Sequence, residues 1–297
     1  MFMRHVVVTV VNNGRQEPQV PPAASGENHV TGNVDTQWPG DGIALITVGD
    51  GGVSGKLTTC ATVSLLADAL EAAIEQKARV IVLASSMEGH WLEHAYLADI
   101  VNLVEGKPAT GDPAGWFRSL QLLNRGPAVT IAAINGDTSG GGCELGWGCD
   151  LRVAEEQARF SQPEVAIGAG TGIGGTSRLM RLIGRTVTAE VVLTGRPLTA
   201  QRLYELGGVN RVVPKGKAVE EALALAQHIA SLPPQSVAGM KKMLGEAEDL
   251  NQSQGIENDQ QISQGLFAHP DSLASMKAIQ ARFDEGESVD QLYWKND

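Results

Sequence analysis

Three short runs of apolar, largely β-branched residues set the limits on what this chain can become. They are Gly42-Ile43-Ala44-Leu45-Ile46-Thr47-Val48, Ala78-Arg79-Val80-Ile81-Val82-Leu83 and Val129-Thr130-Ile131-Ala132-Ala133-Ile134. None of the three alternates polar with apolar residues, so each reads as a strand buried on both faces. Between the first two, Val63, Leu66, Leu70, Ala73 and Ile74 recur at helical spacing. Between the second and third, residues 85–94 read as a loop and 95–104 and 116–124 as helices. Strands separated by helices of this length form βαβ units, whose strands run parallel. The fold class is α/β, and functional loops are expected beyond the strand C-termini.

Past the third strand, 177–183 and 187–193 read as short helices, and Thr199 caps another. Residues 209–213 form a short strand stopped by Pro214, and 217–232 an amphipathic helix ended by Pro233-Pro234. Three further helices, 236–247, 252–267 and 272–283, carry weak apolar stripes that need a neighbour to cover them, so this block reads as an oligomerisation layer. At the other end, residues 12–41 are rich in Gly, Pro, Asn, Gln and Ser and bury too little to offset their ordering entropy. The organisation expected is a flexible extension over 1–38, a core over 39–232 and a helical block over 233–297. A Val-rich run near residues 5–11 is a candidate edge strand inside the extension.

Charge and composition narrow the function. A formal net charge of −11 over 297 residues gives no broad basic face for nucleic acid or an anionic membrane. No run of 18 apolar residues offers a membrane span. Residues 5–11 are too short for a signal sequence. Three cysteines, Cys60, Cys143 and Cys149, make an odd number without zinc-like spacing, which fits a reduced interior, no metal and a cytoplasmic location.

Chemistry concentrates between residues 133 and 178. Ser139-Gly140-Gly141-Gly142-Cys143-Glu144 follows the third strand, Gln162-Pro163-Glu164 comes next after a proline-fixed extended segment, and a glycine-rich loop spans 168–176. If Cys143 and Glu144 lie in the first turn of a helix, the N–H of Gly141 or Gly142 is free at a dipole-positive end, which is how an oxyanion hole is built. The plainer alternative is a tight turn without a ligand and two solvated glutamates. Residues 170–175 also satisfy G-x-G-x-x-G, a dinucleotide fingerprint. That reading lacks the acidic residue expected about 20 positions on.

The run Ala132-Ala133-Ile134-Asn135-Gly136-Asp137-Thr138-Ser139-Gly140-Gly141-Gly142-Cys143-Glu144-Leu145 resembles the signature of the crotonase (enoyl-CoA hydratase/isomerase) superfamily. Cys149-Asp150-Leu151-Arg152, Phe160-Ser161-Gln162-Pro163-Glu164, Gly172-Ile173-Gly174-Gly175 and Gly207-Gly208-Val209-Asn210-Arg211-Val212-Val213-Pro214 extend the likeness in the same order. The resemblance implies a crotonase-type ββα spiral closed by C-terminal helices that build trimers or hexamers. It implies an acyl-CoA substrate, with coenzyme A carried by the substrate and no separate cofactor. Gly141 matches one oxyanion donor, and Gly172 the glycine that helps hold a water. Glu144 matches the group that deprotonates water for attack on C3, and Glu164 the group that protonates C2. Keeping both glutamates favours hydration of a 2-enoyl-CoA over isomerisation, decarboxylation or C–C hydrolysis.

Two stretches depart from the pattern. The loop that supplies the other donor, Phe-Ser-Ala-Gly-Ala-Asp-Leu in the family, reads Trp91-Leu92-Glu93-His94-Ala95-Tyr96-Leu97 here. Glu93 takes the donor position and His94 replaces a glycine, whose backbone freedom histidine lacks. Near the nucleotide, Lys56-Leu57-Thr58 replaces Asn-Ala-Leu, so Lys56 and His94 are the candidate contacts to coenzyme A. His90 and His94 either reshape the acyl pocket or add an acid/base group. The simpler expectation packs Trp91 inward and leaves both histidines in water. A CoA-binding protein without turnover and a nicotinamide enzyme are the rival functions.

Overall fold

A computed structural model describes residues 33–49 and 56–293. Strand β1 (Val34–Gly40) lies antiparallel to β2 (Ile43–Val48), with Val34 opposite Val48 and a register shift between Gln37 and Gly40, where Pro39 sits. The chain continues through α1 (Cys60–Glu75), β3 (Val80–Ser85), β4 (Gly89–His90), α2 (Leu97–Val104) and α3 (Ala114–Arg125). Next come β5 (Val129–Ile134), β6 (Gly136–Ser139) and α4 (Gly141–Gly148), then β7 (Leu151–Glu155) and β8 (Arg159–Ser161). A 3-10 helix (Pro163–Ile167) precedes α5 (Gly175–Ile183), α6 (Arg185–Thr194), β9 (Leu198–Thr199), α7 (Ala200–Glu205) and β10 (Arg211–Val213). The chain then forms α8 (Ala218–Ser231), α9 (Pro234–Ala247), α10 (Gln252–Ala268), α11 (Pro270–Asp284) and α12 (Val289–Tyr293).

Successive turns place one strand in a six-stranded sheet, order β1-β2-β3-β5-β7-β10, and the next in a smaller sheet, order β4-β6-β8-β9. The runs β3-β4-α2, β5-β6-α4 and β7-β8-α5 repeat strand, strand, helix, which is the ββα spiral that the resemblance implies. From β2 to β10 every neighbour in the larger sheet is parallel. Side chains alternate between its two faces. Ile81 and Leu83 join Leu66, Leu70 and Leu123 on one side, while Val80 and Val82 meet Ala218, Ala222 and Ala226 of α8 on the other. With both faces covered, no polar alternation survives in the sequence of these strands.

Buried polar groups tie the spiral to the helices after it. Lys241 on α9 donates through Nζ to both oxygens of Asp150 (2.6 and 2.8 Å) and to the Leu123 carbonyl (2.9 Å). Asp150 also accepts from the Thr130 amide at 2.7 Å. Two residues on, the buried Arg152 guanidinium donates to the carbonyls of Gly208, Gly146 and Cys149. Asp150 and Arg152 are therefore structural residues of that motif, each holding chain segments far apart in sequence. Thr199 caps α7 through the Arg202 amide, as its position implies. Neither α10 nor α11 buries a residue, and Ile256, Phe267, Leu273 and Met276 are exposed.

The structure corrects several readings. Residues 34–38, placed in the extension, belong to β1, whose mostly exposed side chains hide it from a hydrophobicity search. Pairing with β2, rather than burial, makes it a strand. Residues 1–32, with the Val-rich run, lie outside the described residues. The expected loop 85–94 contains β4, two residues paired to β6. Glu164 follows the extended strand β8, as expected, and itself lies in a 3-10 helix that starts at Pro163.

Candidate active site

Strand β6 delivers the chain to Gly140, which turns it into α4 with φ +49° and ψ −126°. This positive-φ conformation favours glycine. Gly142 is needed for a different reason: a Cβ there would lie 1.9 Å from the Leu92 carbonyl oxygen. Helix α4 therefore starts in direct contact with the loop 91–95. At its N-terminus the Gly141 N–H has no acceptor among the described residues, so it is a free donor at the positive end of the helix.

Glu144 sits one turn later and is buried. Its Oε1 accepts from the amides of Ile173 (2.9 Å) and Gly175 (2.6 Å). Gly175 opens α5, so the glycine-rich loop and a helix N-terminus together bind an anion. That anion is a side chain of the same protein. The G-x-G-x-x-G match at 170–175 thus has a use that a dinucleotide search cannot show.

Glu164 is half-buried and held differently. Its neighbour Gln162 is buried, and the contacts around it orient the amide. With its oxygen toward Trp147 Nε1 (3.3 Å), its nitrogen donates to both Glu164 oxygens at 2.8 and 3.2 Å. Trp147 stacks on Phe160 with ring centroids 5.6 Å apart, which fixes the indole. Burial pushes the Glu164 carboxyl above the usual carboxylate range and the charge of Glu144 adds to this, while its own backbone amide and the His94 imidazole pull it back. Gln162 is a site residue that sequence reasoning misses, and its position two residues before Glu164 is the available signal.

Glu144, Glu164, Gly141, Gly172 and His94 all line one cavity of about 460 Å³, within the usual size of a small-molecule site. Leu97, Ile100, Leu103, Trp116, Phe117 and Ile167 supply much of its apolar wall. Cys60 also faces it, but burial pushes that thiol up to about 12, so it is protonated near neutral pH. The Gly172 N–H meets no acceptor among the described residues.

Glu93 and Lys56 are not among the lining residues. The Glu93 side chain turns into a polar chain behind the wall. Lys56 Nζ donates to His90 Nε2 (2.6 Å), so His90 carries its hydrogen on Nδ1 and donates it to Glu93 Oε1 (2.9 Å). Ser139 Oγ donates to the other Glu93 oxygen (2.6 Å) and accepts from the His94 amide (3.1 Å). Thr58 Oγ1 donates to the Glu93 carbonyl at 2.8 Å. The Glu93 N–H has no acceptor among the described residues.

These ties correct the histidine expectation. Trp91 is fully buried as expected, yet His90 and His94 are half-buried and hydrogen-bonded instead of wet. The backbone concern also dissolves, because His94 has a negative φ and the position does not demand glycine. Among the described residues no cluster of three or more His, Cys, Asp or Glu side chains is arranged to hold a metal. No helix among them is long and apolar enough to cross a membrane.

A family model described as enoyl-CoA hydratase/isomerase matches residues 40–286. A probable enoyl-CoA hydratase of Rhizobium meliloti (strain 1021) is 37% identical over 152 residues, covering 51% of this chain and 59% of that protein. The 2,3-dehydroadipyl-CoA hydratase of Escherichia coli (strain K12) is 36% identical over 56% of this chain and 64% of its own length. The chain thus spans about half the length of the curated relatives it matches. The crystal structure of enoyl-CoA hydratase subunit I from Geobacillus kaustophilus HTA426 superposes with a TM-score of 0.74 at 30% identity, covering 85% of this chain and 96% of that one.

Proposed function

The chain belongs to the enoyl-CoA hydratase/isomerase family, and on that premise we propose that it adds water across the C2=C3 bond of a 2-enoyl-CoA thioester. One observation carries the reading: two carboxylates, Glu144 and Glu164, line the same apolar cavity as the free Gly141 N–H. The thioester oxygen accepts from the free Gly141 N–H, and this stabilises the negative charge that develops as C3 is attacked. Glu144, fixed by two backbone amides, takes a proton from water as its oxygen bonds to C3. Glu164, whose raised proton affinity suits it to act as an acid at higher pH than an ordinary carboxyl, delivers a proton to C2. The Gly172 N–H orients the water.

Coenzyme A arrives with the substrate and leaves with the product. Lys56, exposed at the edge of the polar chain, is placed in this reading to meet a CoA phosphate. The uncovered apolar residues of α10 and α11 pack against further copies of the chain in a trimer or hexamer. The cytoplasm, where the three buried free cysteines stay reduced, is its location.

The test follows loss of enoyl absorbance when crotonyl-CoA is added. Hydration expects wild type to consume it and both Glu144→Gln and Glu164→Gln to be severely slowed. Isomerisation needs a single proton shuttle, so a variant pair with strongly unequal rates, or wild type that binds acyl-CoA without consuming it, sinks the hydratase reading.

A further inference from the structure

The family pattern carries glycine where this chain has His94, and the hydration reading gives His94 no task. Its backbone is clamped from both sides: the amide donates to Ser139 Oγ (3.1 Å) and the carbonyl accepts from the Thr58 amide (3.1 Å). The ring is clamped as well. Nδ1 lies 2.9 Å from the Ala95 carbonyl, and because a carbonyl only accepts, Nδ1 carries the hydrogen. Nε2 is then left without a partner among the described residues.

The ring belongs to the cavity wall together with Glu164. A Cβ placed on Gly140 would lie 2.8 Å from His94 Cβ and 3.4 Å from Glu164 Oε1, so histidine and carboxylate flank one backbone position. Other charged groups near the ring are already engaged. Glu144 on α4 accepts from the Ile173 and Gly175 amides. Glu93 on the same loop is tied to Ser139 and to His90, which in turn holds Lys56. Asp99 on α2 accepts from Cys60 and Thr110.

We propose that His94 is the group that returns a proton to Glu164 between turnovers, an inference that rests on the hydration reading above. In one turnover an O–H bond of water breaks, C3–O forms, and that proton goes to Glu144. The Glu164 O–H bond breaks as C2–H forms and the C2=C3 π bond is lost. The site then holds a protonated Glu144 and an ionised Glu164. His94 passes its Nε2 proton to Glu164 through one intervening water and takes another from solvent, while Glu144 releases its own to solvent. The net change is one water added. Histidine suits the task because it exchanges protons near neutral pH. His94 acts through Glu164 and not on the substrate, so it is a positioning residue for the acid.

Two variants of the full-length protein test this. His94→Gly restores the family residue at a position whose backbone accepts any residue, and His94→Gln keeps the volume. Crotonyl-CoA hydration is followed from pH 5 to 9 with and without added imidazole. The relay expects kcat for His94→Gly to fall at least about ten-fold, with its dependence on pH altered, KM little changed and rate restored by imidazole. Unchanged kcat and pH profile in an active protein overturn it, as does a loss that imidazole does not rescue. A second measurement needs no turnover: the His94 ring resonances are titrated by NMR in wild type and Glu164→Gln. The midpoint moves to lower pH in the variant if the two groups are coupled, and an unmoved midpoint overturns the proposal. A wild-type protein that hydrates no enoyl-CoA removes the hydration reading and the relay with it, whereas an active wild type with an indifferent His94→Gly removes the relay alone.

Discussion

The two cavity carboxylates are held by opposite means. Glu144 is buried in a helix and gripped by main-chain amides that cannot rotate away. Glu164 is half-buried on a single 3-10 turn and is gripped by a side-chain amide, itself propped by an indole. Backbone donors hold position without favouring one residue's rotamer over another, so they suit a group that must aim at a water. Side-chain donors can yield, which suits a group that must gain and lose a proton. The difference teaches that the cavity has one fixed member and one adjustable member.

The largest test of that contrast is chemical. Glu144→Gln and Glu164→Gln are each expected to lower kcat on an enoyl-CoA by roughly 10²–10⁴-fold, read by enoyl absorbance under saturating substrate. A smaller difference should appear in stability. Glu144→Ala leaves the buried Gly175 amide and the part-buried Ile173 amide without an acceptor and should cost about 1–3 kcal/mol, measured by denaturant unfolding. Glu144→Gln keeps an acceptor and should cost less. Glu164→Ala should cost less, because losing the acceptor of the Gln162 amide is offset in part by removing a carboxylate whose burial is itself unfavourable. Equal losses from the two alanine variants would break the comparison.

Weaker effects sharpen it. Gln162→Leu removes the donors that favour ionised Glu164, so the alkaline limb of the rate profile, where the acid is lost, should move up by about one pH unit. The smallest effect is on the pH dependence of folding. Glu164 has a higher proton affinity folded than unfolded, so the native state binds more protons and stability falls as pH rises from the ordinary carboxylate value through the raised one. Below that window the penalty is absent. Glu164→Gln should flatten this slope in urea midpoints taken across pH 4–8, and a slope unchanged by the substitution would contradict the assigned shift.

Much of the architecture is legible in the residue pattern alone. The run 80–83 is apolar at every position and 129–134 at every position but Thr130, a pattern that two-sided burial explains. The elements that escape such a reading are those whose existence depends on pairing. Strand β1 is mostly exposed and contains Pro39, and β4 is two residues long. In the site, motif order identifies Gly141, Glu144, Glu164 and Gly172, and all four line the cavity. Their supports are less legible. That Ile173 and Gly175 serve Glu144, or that Gln162 serves Glu164, follows from loop paths that spacing does not encode. Glu93 is the reverse case, since its position suggests a donor while its side chain is spent on Ser139 and His90.

Both ends of the larger sheet finish at a proline. Among the described residues β1 and β10 are its edge strands; Pro39 lies where the β1 register shifts, and Pro214 follows β10 directly. A sheet edge is a template on which another molecule's strand can be laid down, and a residue with no amide hydrogen interrupts that template. In one edge strand the register with β2 shifts beside the proline, and the other edge strand is three residues long. Each proline therefore shortens the run of backbone amides that the apolar parallel sheet presents to a strand from another chain.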